Sequence, residues 1–428
     1  MPLRCILSFL IIAIACQAGA QSLYFPPTAG DTWETMDPAE LNWCPERIDS
    51  MYQFLDDEET NAFMVLKDGK IVLEKYYDPY HADSVGPWFS AGKCLMATLI
   101  GIAQEEGLLT INDKTSEYLG SGWTSLSPER EDSITIWHQL TMTTGLDEAD
   151  FTCTDSNCLI YKAPAGSRWV YHNAPYSLLR DVLEDATGFF INFYNNTRIA
   201  NKIGMSGFWF PVGYNNFYLS DARSMARFGL LIQAQGQWDG TTVLGDTAYI
   251  NQMTRKSQDL NESYGYLWWI NGENTRIEPA SPQVLTGELS PHAPEDVFVA
   301  AGSEGQFISI SPSEGLIMIR QGASSSPDLA AIDLHDQIWE HLIDLNCATG
   351  IEQNERRSMS VYPNPTDGML YLKGLKRAPE VVELVDHLGR TLPLTPALQL
   401  DVSEIKAGSY ILRVESGEFA YFSSVIIQ

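Results

Sequence analysis

The sequence predicts an α/β (α+β) protein, one sheet with helices packed on it, followed by a small all-β sandwich. Three observations carry this. Strand-like runs open the chain, helical stretches fill its middle, and further strands and a last helix close its first part. The stretch 89–106 is apolar on nearly every face, which marks a buried helix. Near residue 348 the composition turns to short alternating runs split by Pro, Gly, Asn and Asp, the pattern of a sandwich. With 428 residues, 44% of them hydrophobic, the chain is long enough for two or three domains and a sizeable core.

Taken in order, residues 1–20 read as a secretory signal peptide. Arg4 precedes an apolar run from Cys5 to Cys16, and Ala18-Gly19-Ala20 supplies a small-residue cleavage site. Ala13-Ile14-Ala15-Cys16 loosely resembles a lipoprotein box and is the rival reading. No later segment reads as transmembrane. The main domain spans 21–347. Within it, 42–57 reads as a helix, and 62–77 as two strands around Asp68-Gly69, a strong hairpin signal. The helix 89–106 follows, with further helices over 134–143, 175–187, 220–235 and 327–345. Strands are expected at 264–271, 296–301, 305–311 and 315–321. The Pro-rich, acidic stretch 272–295 reads as a loop that shapes the substrate site. Residues 348–357 form a polar linker, and 358–428 the sandwich.

Charge and cysteines narrow the setting. A net charge of −28 argues against nucleic acid and anionic membrane surfaces as partners. Of seven cysteines, five remain after signal cleavage, and an exported chain can oxidise them. Cys153 and Cys158 sit in one polar loop and could close a small ring. Cys44 and Cys347 flank the main domain and could join its ends. Cys94, inside the apolar helix, reads as a free buried thiol.

The chemistry centres on Ser90-Ala91-Gly92-Lys93. Ser-x-x-Lys is a cheap pattern, and Ser403-Glu404-Ile405-Lys406 repeats it in a polar stretch. What sets Lys93 apart is its surroundings. It lies in the first turn of an apolar helix, where burial and the positive end of the helix dipole both disfavour an ammonium. Both effects push its pKa down, toward a lysine able to accept a proton near neutral pH. Ser90, three residues earlier, lies on the same face. Against this stands the plain alternative, in which Ser90 caps the helix and Lys93 snorkels to water. No H-E-x-x-H or paired Cys/His spacing points to a metal, no cofactor motif is present, and there is no G-x-S-x-G elbow.

These residues and the blocks after them resemble the serine β-lactamase and penicillin-binding-protein superfamily, in its class C-like branch of esterases, D-aminopeptidases and 6-aminohexanoate-oligomer hydrolases. The blocks are "DKTSEYLG" (113–120), "ITIWHQLTMTTGLD" (134–147), "APAGSRWVYHNAPYSLLRDVLEDATG" (163–188), "LSDARSMARFGLLIQAQGQWDG" (219–240), "YGYLWWI" (264–270) and "AAGSEGQFISISP" (300–312). The resemblance implies an antiparallel sheet flanked by helices, with a helical subdomain, of the β-lactamase/transpeptidase type. It implies Ser90 as nucleophile, Lys93 as base or electrostatic partner, Tyr171 as proton-transfer partner, and Asn173 as a hydrogen-bonding group for Lys93 or substrate. The oxyanion hole would use the backbone N–H groups of Ser90 and Ser303. Trp268 and Trp269 are core or cleft-wall aromatics, and Gly302 allows close substrate approach. Where penicillin-recognising members carry a cation, this chain has Ala300-Ala301-Gly302, which favours esters or amides without a carboxylate to grip.

The C-terminal block resembles the type IX secretion sorting domain, on "VYPNPTDGMLYL" (361–372), "VELVDHLGRTL" (382–392) and "LDVSEIKAGSYILRVESGE" (400–418). Together these imply a serine hydrolase exported through the periplasm, secreted or held at the cell surface, and a partner in the secretion machinery. Its substrate would be a small molecule or short peptide. The alternatives are a D-aminopeptidase, DD-carboxypeptidase or weak β-lactamase acting on cell-wall peptides, and an idle binding protein that keeps the fold.

Overall fold

The computed structural model describes residues 23–428 apart from 151, 280, 324–329, 348–359, 374, 376–377, 387–389 and 417–418. The expected signal peptide and linker lie outside the described residues. The chain divides into two compact units after Asn346.

The first unit is built on a six-stranded antiparallel sheet. Its strands are β1 (Thr60–Lys67), β2 (Lys70–Tyr76), β3 (Trp269–Ile270), β4 (Phe298–Gly302), β5 (Gln306–Ser311) and β6 (Leu316–Gly322), in the spatial order β2-β1-β6-β5-β4-β3. The β1–β2 turn is tight because Asp68 and Gly69 both take positive φ, 49° and 88°, which the twist of a hairpin favours. Both faces of the sheet are covered, so its strands read as continuous apolar runs instead of alternating ones. Helix Ala222–Gln233 lies on one face. Gly229 lets it come close: a Cβ there would stand 2.9 Å from Ile317 and 3.0 Å from Ile308. Helix Ile332–Ile343 covers the other face, where His335 and Trp339 both hydrogen-bond the Ser309 hydroxyl. Ile308 and Ser309 thus point to opposite faces, as the strand period requires. Beside Ile332–Ile343 lies helix Pro45–Asp57, opened by Pro45 and burying Ile48, Met51 and Leu55; its Phe54 stacks on His341 at 4.3 Å.

Several expected elements are shorter or divided. The strand expected over 264–271 contributes only Trp269–Ile270 to the sheet, because Leu267 takes φ 64° and the chain turns there. The helix expected over 134–143 is Ile136–Leu140, stopped before Met142 at φ 60°. That over 175–187 is two helices, Asn173–Ser177 and Leu179–Thr187. The segment 272–295 is not a bare loop: Thr275–Ile277 and Val284–Thr286 pair as a hairpin. A separate three-stranded antiparallel sheet, with Asn215–Ser220 between Gly86–Pro87 and Phe208–Val212, has no counterpart in the sequence reading.

Among the described residues, the regular elements of the second unit are all strands. Ser360–Tyr362, Met369–Lys373 and Gln399–Asp401 form one antiparallel sheet; Thr391–Leu394, Val381–Val385, Gly408–Ser416 and Phe419–Ile427 form the other. Alternate residues such as Leu370, Leu372, Val382, Leu384, Leu412 and Val414 fill its core, as expected of a sandwich. Among the described residues no helix is long and apolar enough to cross a membrane.

Candidate active site

Ser90 stands in a single 3₁₀ turn, Phe89–Ala91, that runs directly into helix Gly92–Glu105. The turn is clamped from behind. Trp88 is fully buried; its backbone N–H donates to Tyr218 O at 2.8 Å and its indole N–H to the Ser220 hydroxyl at 2.7 Å. Phe89 then takes φ 47°, a left-handed conformation that costs a bulky residue about 1–3 kcal/mol and persists only where its neighbours enforce it. The first bonded N–H of the turn is that of Ala91, to Trp88 O, so the Ser90 N–H is among those a helix start leaves without an intrahelical acceptor.

Lys93 sits one turn on and is buried, 4% exposed. Its Nζ donates to Ser90 Oγ at 2.9 Å. Two ring faces stand over the ammonium, Tyr176 at 4.5 Å and Tyr171 at 5.1 Å, in place of a carboxylate. Burial lowers its pKa from 10.5 to about 7. The opposing charge would be that of Cys94, but burial raises that thiol well above its ordinary range, so at neutral pH it carries none. Cys94 is a free thiol and donates its S–H to Leu267 O, which ties the helix to the turn before Trp268.

Tyr171 is pushed well above the ordinary tyrosine range by burial, with hydrogen bonding to Ser90 acting the other way. It stays a phenol at neutral pH. Its ring stacks on Trp269 with centroids 6.0 Å apart, and Trp169 and Tyr264 pack edge-on to Trp269. The two adjacent tryptophans therefore part company. Trp269 walls the site beside Tyr171, whereas Trp268 packs on Phe228 and Phe298 in the core, which corrects its assignment to the cleft. Asn173 is buried, and its Oδ1 has no hydrogen-bond partner among the described residues, so it does not accept from the Lys93 ammonium. An unmatched buried acceptor of this kind is costly unless a ligand or water meets it.

Gly302, at the end of β4, brings the sheet edge onto the turn. A Cβ there would stand 2.3 Å from Trp88 O and 3.2 Å from Ser90 N. Only hydrogen fits, which places the strand backbone leading to Ser303 against Ser90. Ala300 lies on the same face two residues earlier and is fully buried.

Other titratable and nucleophilic side chains fall outside this cluster. His138 accepts the Thr135 N–H at a helix start, and burial lowers it to about 4; His172 is buried and likewise lowered to about 4. Ser403 is exposed and bonds Asp401, and Lys406 is exposed. Cys153 and Cys158 form a disulfide, and Cys44 and Cys347 are each disulfide-bonded. No group of three or more potential metal ligands occurs among the described residues. A surface cavity of about 340 Å³, lined by Leu126, Arg130, Ser133, Thr144, Tyr161 and Pro164 among others, does not include Ser90 or Lys93. Sequence reasoning missed Tyr176, although its position three residues after Asn173 on one short helix puts the two on one face.

Comparison with known proteins identifies the family of the first unit and of the C-terminal block. The family model described as Beta-lactamase matches residues 53–341, and that of the secretion system C-terminal sorting domain matches residues 360–428. No curated protein matches. Among solved structures, a Bacillus anthracis chain provisionally titled a 6-aminohexanoate-dimer hydrolase is similar, with TM-score 0.55 and 19% identity over 76% of this chain and 90% of that one. A penicillin-binding protein homolog from Caulobacter crescentus gives 0.54 and 14%, over 71% and 98%. A family VIII carboxylesterase gives 0.52 and 15%, over 71% and 98%.

Proposed function

The chain belongs to the beta-lactamase family and ends in a secretion sorting domain, and from that premise we propose that it is an exported serine hydrolase cleaving an ester or amide through an acyl-enzyme on Ser90. The observation that carries this reading is Lys93: a buried amine 2.9 Å from Ser90 Oγ, without a carboxylate partner among the described residues, with its pKa brought to about 7. A neutral Lys93 takes the hydroxyl proton as Ser90 Oγ attacks the carbonyl carbon. The Ser90 and Ser303 N–H groups receive the oxyanion. Tyr171, held as a phenol, passes a proton to the leaving oxygen or nitrogen and recovers one from Lys93. Water then attacks the acyl carbon by the same steps in reverse. Because burial moves Lys93 toward neutrality and Tyr171 away from phenolate, the pair divides into base and acid in that order. Asn173 Oδ1 is available to a substrate N–H or O–H. Ala300 favours substrates without a carboxylate at that position.

The test is Ser90→Ala in the full chain. Turnover of p-nitrophenyl acetate should fall by about a thousandfold or more, and a fluorophosphonate should add one adduct mass to the parent and none to the variant. Equal turnover in the purified variant would remove Ser90 from the mechanism.

A further inference from the structure

The small sheet that delivers Ser90 has two unlike faces. In the hairpin Phe208–Val212 and Asn215–Ser220, Trp209 and Tyr218 are buried and pack on each other at 5.3 Å, against Gly92 at the start of the Ser90 helix. The intervening residues point the opposite way. Phe208, Phe210 and Val212 are 46%, 51% and 48% exposed. Phe217 stands across the ladder from Phe210, and Leu219 across from Phe208. An antiparallel sheet with one buried face ordinarily turns polar residues to solvent; this one turns aromatic ones.

The aromatic row runs up to the residue that precedes Ser90. Phe217 meets Phe89 edge-to-face at 5.4 Å, and Phe89 is the strained residue immediately before Ser90. At the far side, Asn192 bonds both the N–H and the C=O of Trp209, which fixes its short helix beside the hairpin and adds exposed Phe190 and Phe193. Charge argues for what lies there. Residues 187–197 and 203–220 contain no Asp, Glu, Lys or Arg, in a chain of net charge −28. Nothing in the row recognises an ion, and the acidity of the rest repels anions.

We propose that Phe89, Phe217, Phe210 and Phe208 form a track for the hydrocarbon chain of a neutral fatty ester whose carbonyl is set on Ser90. This rests on the acyl-enzyme reading above and names its substrate class. The chain enters either as the acyl or as the alcohol part of the ester.

The experiment compares kcat/KM across p-nitrophenyl acetate, butyrate and octanoate, and across ethyl, butyl and octyl acetate. A fully buried methylene is worth about fourfold, and one covered on a single side about twofold, so six added methylenes should raise kcat/KM on the order of 50-fold in one series. Whichever series rises identifies the part that lies on the track. Phe210→Ser, on the solvent face, should lower the octanoate-to-acetate or octyl-to-ethyl ratio at least about fivefold. Profiles flat in both series while acetate is turned over, or a ratio unchanged by Phe210→Ser, would overturn the track and leave Ser90 untouched. A dimer by light scattering that Phe210→Ser dissolves, without change in the ratio, would assign the row to self-association instead. Binding is read independently of turnover by fluorescence anisotropy of a pyrene-labelled dodecanoate methyl ester on Ser90→Ala: saturable binding weakened by Phe210→Ser supports the track, and no binding refutes it even if no ester is cleaved.

Discussion

Replacing Lys93 by methionine should stabilise the first unit, by an amount that shrinks as pH rises. The folded-state pKa of about 7 lies below the ordinary 10.5. Below pH 7 the amine is protonated folded and unfolded, so the full cost of burying the ammonium is present, about 5 kcal/mol for a shift of this size. Above pH 7 the folded chain has shed the proton while the unfolded chain keeps it up to about pH 10.5. The unfolded state binds more protons across that window, so wild-type stability rises with pH. By pH 9 the cost has fallen to about 2 kcal/mol. Other groups titrate alike in both and cancel. Urea unfolding followed by tryptophan fluorescence reads this unit alone, because all eleven tryptophans precede residue 340. The advantage of Lys93→Met over wild type should shrink by about 2–3 kcal/mol between pH 6 and pH 9. A difference constant within about 0.5 kcal/mol over that range would mean that Lys93 is not depressed, and the argument for it as base would fail.

The same pKa sets the rate profile: the neutral fraction of Lys93 rises from about 10% at pH 6 to about 90% at pH 8, so kcat/KM for p-nitrophenyl acetate should climb roughly tenfold. Lys93→Arg should abolish that limb, since a guanidinium keeps its proton; an unaltered profile in this variant would assign the limb to another group. Gly302→Ala pushes a methyl to within 2.3 Å of Trp88 O and must displace β4 or the Ser90 turn. A displacement approaching 1 Å costs on the order of 100-fold in kcat/KM. An alanine variant within threefold of wild type, with unchanged circular dichroism, would show that the close contact does not position Ser90.

Much of the fold is legible in local chemistry. Asp68-Gly69 announces its hairpin because two consecutive positive φ angles are a local requirement with few residues able to meet it. The second unit reads clearly because alternation with period two recurs strand after strand. What stays hidden is decided by tertiary contacts. Leu267 carries no turn signature, yet it takes φ 64° because Leu140 O holds its N–H and Cys94 bonds its C=O. That bend is why a seven-residue apolar run yields two residues of strand. The hairpin over 208–220 escapes for the opposite reason: both of its faces are apolar, so the alternation that marks a half-buried strand is absent.

At the site, spacing alone does not separate the two Ser-x-x-Lys copies; surroundings do. Ser403 and Lys406 are exposed, and Asp401 occupies the Ser403 hydroxyl. Lys93 is enclosed by the apolar helix that the sequence displays openly, and burial is the leading cause of its lowered pKa. The precision of the arrangement comes from residues whose one-letter codes say little. Phe89 is an ordinary phenylalanine until Trp88, fixed by Tyr218 and Ser220 on a strand about 130 residues further on, forces it left-handed. Gly302 is one of 32 glycines until a Cβ placed on it collides with that same Trp88. Trp88 thus serves two ends at once: its own hydrogen bonds hold the Ser90 turn, and its carbonyl sets how closely the sheet edge approaches. Two distant segments meeting on one buried tryptophan set the Ser90 turn against the strand backbone, while Lys93 Nζ reaches Ser90 Oγ from one turn along the same helix start. The four-residue spacing puts Ser90 and Lys93 on one face, but the approach of the sheet edge is a tertiary contact that no such motif specifies.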